Sequence, residues 1–300
     1  MKYNELTEKF NLFFLFIRQN QLKEAFDLLI ELTSHCSNTD LKVQAESNLE
    51  TYSNMLKYSF ELADDPQKEE VYKRLIKSLT ELADEVKEDI SSRYVLLSYY
   101  REKTRVKRND AISNDNPDEM IEDLEFSNEI GQILKSVSKD VDSTGQVEFY
   151  RKRIKEIFKH IWFTDKLKET EIELLQKIGK AKFIPWHDKC NLISALYLSL
   201  FRHFDSKKIL LLFDFYQFKE NQVWQRALIS LVLGLFYYDT RIKYYPEILN
   251  RLKAMQGDSE LIKNVENIII QFIKSKETEK VTKKIREEIL PEVMKMKSKV

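Results

Sequence analysis

His187 and Cys190 stand three residues apart, the spacing that places two side chains on the same side of a helix. They are the most metal-like pair in the chain. A structural zinc site takes four protein ligands and a catalytic one three with a water, and His160, His203 and Cys36 would join the pair only if the fold gathered them. Cys190 as a nucleophile would need a base, a lowered thiol pKa and donors for an oxyanion. The sequence marks only its neighbour His187, so ordinary packing is the expectation for both. Among the carboxylates, Asp205, Asp214 and Asp239 stand out because apolar residues surround them. A carboxylate so placed needs a partner: Asp205 and Asp239 are read as capping or starting helices, and Asp214 as pairing with Arg226. No glycine-rich phosphate loop occurs. The expectation is a protein that is not an enzyme and holds no cofactor and no metal.

Two other groups suit binding. Arg101 to Arg108 (REKTRVKR) has five basic residues and one acidic. Arg101, Arg105, Lys107 and Arg108, with the C-terminal lysines, form a candidate nucleic-acid patch. Against it, residues 109–134 hold eight acidic residues and no basic one, and the chain's formal net charge is +0, so no overall field draws phosphate. The second group is aromatic: Trp186, Tyr197, Trp224, Tyr237, Tyr238, Tyr244 and Tyr245. Aromatic residues supply much of the energy at protein interfaces, although at helical spacing most of them pack inside. Tyr237, Tyr244 and Tyr245 flank a turn, where some are expected to be exposed. With Arg226 they are the candidate partner-binding residues.

The elements that must position these groups are helical. Five glycines and five prolines in 300 residues leave little material for tight turns, and the 43% apolar content supplies a sizeable core. Leu6, Phe10, Phe13, Phe14 and Ile17 share one side of a helix over 4–19. A second starts near Gln21; others are expected over 40–63, 66–87 and 90–106, with Asp65 and Pro66 at one start and Tyr94, Leu97 and Tyr100 on one face of the last. Asn116-Pro117-Asp118-Glu119 reads as a capping box opening a further helix, and another runs from Val147 to about Phe163. A domain boundary is placed between residues 139 and 146, separating an N-terminal helical array, 1–139, from helical repeats over 146–300.

The second domain repeats itself. Ile193 to Phe201 (ISALYLSLF) matches Leu228 to Phe236 (LISLVLGLF) at a displacement of 35 residues, and Val265 to Ile273 (VENIIIQFI) is a weaker copy 37 residues further on. A period in the thirties marks stacked helix pairs that cannot bury their apolar faces alone. The pairs are 166–180 with 186–204, 206–218 with 221–238, and 246–256 with 259–274. The second helices of the first two pairs are apolar nearly all round, which places them inside a stack. Ser199 and Gly234 share one repeat position, where a small side chain would let helices cross closely. From Lys274 to its end the chain carries nine basic and five acidic residues, with Val281, Ile285, Ile289 and Leu290 at helical spacing ahead of Pro291.

Arg18 to Phe26, a polar turn leading into Glu24-Ala25, resembles the tetratricopeptide junction. Leu210 to Phe215, the turn Lys219-Glu220-Asn221, then Val223 and Arg226-Ala227 resemble a HEAT repeat without its turn proline and aspartate. The region from about 157 to 290 is similar to bacterial helical-repeat proteins labelled tetratricopeptide proteins, a likeness that brings no activity and no site residues. The resemblance implies an all-α fold, a right-handed α-α superhelix of antiparallel helix pairs, used as a non-catalytic scaffold for a protein or peptide. A nucleic-acid-binding repeat protein is the alternative, and an enzyme or metal protein without a recognisable motif a further one. The apolar runs Phe13 to Ile17 and Ala227 to Tyr238 are too short to span a bilayer and no signal-peptide cleavage site follows the first. A cytoplasmic location without membrane insertion is therefore expected, and the two cysteines fit a reducing interior.

Overall fold

A computed structural model describes residues 3–61, 67–93, 98–108, 112, 116–137 and 144–284. Asp65, Pro66, Tyr94, Leu97, Ile285, Ile289, Leu290, Pro291 and most of the expected boundary at 139–146 lie outside the described residues, as does the side chain of Val281. The described residues are all-helical, with fourteen helices and no strand. The chain forms two compact units, Met1–Leu249 and Asn250–Val300.

In the first unit, α1 (Tyr3–Arg18), α2 (Leu22–Thr33), α3 (Asp40–Glu61) and α4 (Gln67–Ser92) pack each on the next, with α4 returning to α1. Leu6, Phe10, Phe13 and Ile17 of α1 are buried, and so are Ala25, Phe26 and Leu29 of α2. Asn20, in the left-handed conformation at φ 58°, makes the turn between these two helices, a geometry that asparagine tolerates. The expected break near 88–89 does not occur. No glycine or proline interrupts α4 there, and Leu79, Ala83, Val86 and Ile90 prolong one buried stripe.

The following helices are α5 (Ser98–Arg108), α6 (Pro117–Val137), α7 (Thr144–Phe163), α8 (Glu169–Lys180), α9 (Trp186–Leu200), α10 (Ser206–Gln217), α11 (Val223–Tyr237) and the short α12 (Asp239–Ile242). They make two rows: α6, α8 and α10 pack in sequence, and so do α7, α9 and α11. Asn116 caps α6, its Oδ1 accepting from the Asp118 N–H at 3.0 Å. Asp205 caps α10 as expected, accepting from the N–H groups of Lys207 (3.0 Å) and Leu167 (2.8 Å). Asp239 starts α12 as its first residue, the other role expected of this pair. Asp214 accepts from Gln176 Nε2 at 2.8 Å.

The shared small position of the repeat does two different things. Ser199 is buried and polar in its role: its hydroxyl donates to the Thr164 carbonyl at 2.7 Å and accepts from Lys208 Nζ at 2.8 Å. At Gly234 the close helix crossing expected from the sequence is absent, since an added Cβ would meet only Leu200 Cδ1, at 3.8 Å. Gly234→Ala is therefore expected to raise stability by about 0.5–1 kcal/mol, the helix-propensity difference. A urea midpoint no higher than that of the parent would show that the site is tighter than its geometry.

Past Leu249, α13 (Pro246–Ala254) crosses the limit of the second unit and α14 (Ser259–Lys284) fills most of it. Asp258 caps α14, accepting from the N–H groups of Glu260 and Leu261 at 3.0 and 3.1 Å.

Candidate protein-binding face

The helices place two kinds of side chain where they can act: a polar seam and an exposed apolar ladder. The seam starts from α4. Lys77, Glu81, Asp84 and Glu88 recur at intervals of three and four residues and so share one face of that helix. Tyr245 donates its hydroxyl proton to Glu81 at 2.8 Å, under Lys77, whose ammonium lies 4.4 Å from the ring centroid. Arg241 makes a two-pronged pair with Asp84, Nη2 to Oδ1 at 2.9 Å, both residues being buried. Lys103 joins Glu88 to Asp165, and Lys166 reaches Glu85 at 2.5 Å.

A cavity of about 240 Å³ opens beside this seam, with Lys107, His160, Asp165, Lys166, Lys168 and Glu171 among its walls. Its carboxylates already hold protein donors. Glu171 contacts His160 Nε2 at 2.5 Å through one oxygen and accepts from the Lys168 N–H at 2.7 Å through the other. Burial pushes the Asp165 carboxyl up, but Lys103, His203 and Lys107 outweigh it and hold Asp165 below its ordinary value. Among the described residues, no group of three or more His, Cys, Asp or Glu side chains could hold a metal ion. His187 lies 3.6 Å from Asp188 Oδ1, and burial raises the Cys190 thiol, which donates to the Gln222 carbonyl.

Lys208, behind the cavity wall, is fully buried. Its ammonium donates to the carbonyls of Thr164 and Asp165 and to Ser199 Oγ, at 2.6–2.8 Å. Burial lowers its pKa to about 8, against the pull of Asp205 and Asp165. The folded chain then holds this proton less tightly than the unfolded chain. The cost of the buried charge is full below about pH 8 and relieved as pH rises toward 10.5. Raised tyrosines and cysteines, Cys36 at about 12 among them, act in the opposite direction at the alkaline end, so the parent alone does not isolate the effect. The difference in stability between Lys208→Met and the parent is expected to move in the parent's favour between pH 7.5 and 9.5, in paired urea titrations; a constant difference would contradict it.

The exposed ladder lies on the second helices of the repeat. Apolar all round, α9 and α11 were expected inside the stack, yet each keeps a strip in solvent. On α9 Leu198 is 39% exposed, and Phe201 at its C-terminal end 45%; on α11, Ile229 and Phe236 are 37% and 78% exposed, with Val232 and Leu233 half-buried beside them. The Phe201 and Tyr237 rings lie 4.8 Å apart, and Tyr197 meets Phe201 edge-on at 5.1 Å. Phe201 and Phe236 hold the same repeat position, and its third copy, Ile273 on α14, is 56% exposed.

Of the residues named from sequence, Arg226 and Tyr237 are exposed, Tyr237 by 50%, and border this ladder. Tyr244 and Tyr245 are not available to a partner, being 8% and 1% exposed. The turn after α12 tucks them inward, where Tyr245 meets Glu81 and the Phe204 ring. The basic run is partly consumed. Lys103, at its centre, is buried in the seam, whereas Arg101, Arg105, Lys107 and Arg108 are all exposed, Arg105 at 3.6 Å from Glu102 and Lys107 at 3.8 Å from Asp165. Sequence reasoning passed over Leu198, Phe201, Ile229 and Phe236 as core. The usable signal was geometric: a helix apolar on every side needs neighbours on every side, and α11 has few beyond α9 and α10.

No protein-family model, no curated protein and no solved structure matches this chain. Among the described residues, no helix is long and apolar enough to cross a membrane.

Proposed function

We propose that this chain is a helical-repeat scaffold, a superhelix of HEAT-like or tetratricopeptide-like pairs working in the cytoplasm, that holds a protein or peptide on the outer strip of α9 and α11 without catalysing a reaction. The observation that carries this reading is the exposed apolar residue at one repeat position in all three copies, Phe201, Phe236 and Ile273. A fold gains nothing by repeating a large apolar side chain in water, and the contiguous apolar strip of Phe201, Tyr237 and Phe236 within the first unit is of the kind that marks interaction sites. Binding on rigid helices would cost little ordering, and its energy would concentrate in the aromatic residues.

The test is capture from a cell lysate with the chain immobilised, read by mass spectrometry, with and without nuclease and at two salt concentrations. Capture that survives nuclease and salt, and falls about tenfold or more with Phe236→Glu, supports the reading. Capture that is indifferent to Phe236→Glu but disappears with nuclease, with salt, or with the pair Arg101→Glu and Arg108→Glu would transfer the assignment to nucleic acid.

A further inference from the structure

We infer that the partner received by α11 is a second copy of this chain, laid antiparallel to the first across a two-fold axis between Val232 and Leu233. This deepens the scaffold reading and rests on it. The outer strip of α11 runs Arg226, Ile229, Val232, Leu233, Phe236, and Asp239 follows just beyond the helix. The strip is uncharged along its length and carries a cation at one end and an anion at the other. Two such strips in parallel put like charges together. Antiparallel pairing about the centre sets Ile229 against Phe236, Val232 against Leu233, and Arg226 against Asp239, twice over.

Both end residues are exposed. Asp239 accepts from the Thr240 N–H at 2.6 Å through Oδ1 and lies 3.9 Å from Arg18, with both side chains about two-thirds in water, an ion pair that holds it weakly. Phe236, 78% exposed, projects furthest and serves as the knob, with Ile229 and the half-buried Val232 and Leu233 forming the shallower surface that receives it. The chain's formal net charge of +0 leaves no general repulsion between copies. A standard interface removes roughly 800 Å² from each partner. One helical strip offers less than this alone, so Leu198, Phe201 and Tyr237 beside it must contribute, and dissociation on the order of micromolar is expected.

Sedimentation velocity of the full chain over a range of concentrations tests this. The expected result is a monomer–dimer equilibrium that Phe236→Ser, Arg226→Glu and Asp239→Lys each weaken about tenfold or more, with circular dichroism and thermal midpoints near those of the parent. Two-fold geometry makes a sharper demand. Arg226→Glu and Asp239→Lys, each self-repelling, should form a heterodimer when mixed, because both end contacts then join opposite charges. A monomer at every concentration, a dimer indifferent to these substitutions, or two single variants that stay apart on mixing would each overturn the assignment. If Asp239→Lys disturbs α12, Phe236→Ser and Arg226→Glu still decide it. Failure here with Phe236-dependent capture from lysate leaves the scaffold reading standing with another partner, whereas failure of both removes the two together.

Discussion

Arg241→Met is expected to lower the unfolding free energy by about 3–5 kcal/mol, the cost of breaking a buried pair by removing one member. Arg241 is 5% exposed and Asp84 8%, and their two-pronged contact joins residues 157 apart in the chain. Removing the guanidinium strands the Asp84 carboxylate in a site closed to water, with Lys87 and Lys166 still in its field but neither paired to it as Arg241 is. It also removes a cation from over the Phe14 and Tyr238 rings, at 4.4 and 5.2 Å. Methionine refills much of the volume, so the loss reports the orphaned charge more than a cavity. Adding Asp84→Leu to Arg241→Met should therefore recover a large part of the loss, because no unpaired charge is left. Urea denaturation of the parent, the single and the double variants measures both steps. A loss below about 1 kcal/mol in the single variant, or no recovery in the double, would show that the pair does not close the array as its geometry indicates.

Gly179→Ala is expected to destabilise the chain by up to about 2 kcal/mol, the opposite sign from Gly234→Ala, although both glycines are buried in helices. An added Cβ at Gly179 would lie 2.4 and 2.9 Å from two atoms of the Phe218 ring and 3.1 Å from Phe215 Cε1. Phe215 is fully buried and has nowhere to go, so the half-buried Phe218 must swing outward, leaving the Lys180 ammonium 5.8 Å above its ring. The alternative, a shift of α8, would disturb the Gly179 carbonyl that accepts from the buried Lys189, which in turn holds Glu220 at 2.5 Å in the next turn. That turn already carries Lys219 and Gln222 in left-handed conformations, at φ 53° and 69°, so it has little slack. Overpacking of this kind costs about 1–3 kcal/mol, set against about 1 kcal/mol of helix propensity that alanine restores. Shortening the neighbour with Phe218→Leu should relieve most of the cost. Equal urea midpoints for Gly179→Ala and the parent would mean that Phe218 moves freely.

The amino-acid sequence by itself determined the local structure. Period-3.6 stripes such as Leu6, Phe10, Phe13 and Ile17 and the caps Asn116, Asp205 and Asp258 are each readable within one or two helical turns, because hydrogen bonding and capping act over a few residues, and the repeat linking Ile193–Phe201 to Leu228–Phe236 is readable from the likeness of two segments 35 residues apart. Asp205 capped α10 as its position required. Only the tertiary structure decided which side of an apolar helix meets a neighbour. Phe201 and Phe236 carry no local mark that separates them from Leu196 and Leu231, yet the first two stand in water and the others are buried. Likewise nothing near Tyr245 predicts Glu81, nor anything near Arg241 predicts Asp84, since a contact across more than 150 residues depends on how the helices stack and not on any one of them. For the same reason two glycines that look equivalent in sequence differ in space: one faces a phenyl ring and the other faces room for a methyl group.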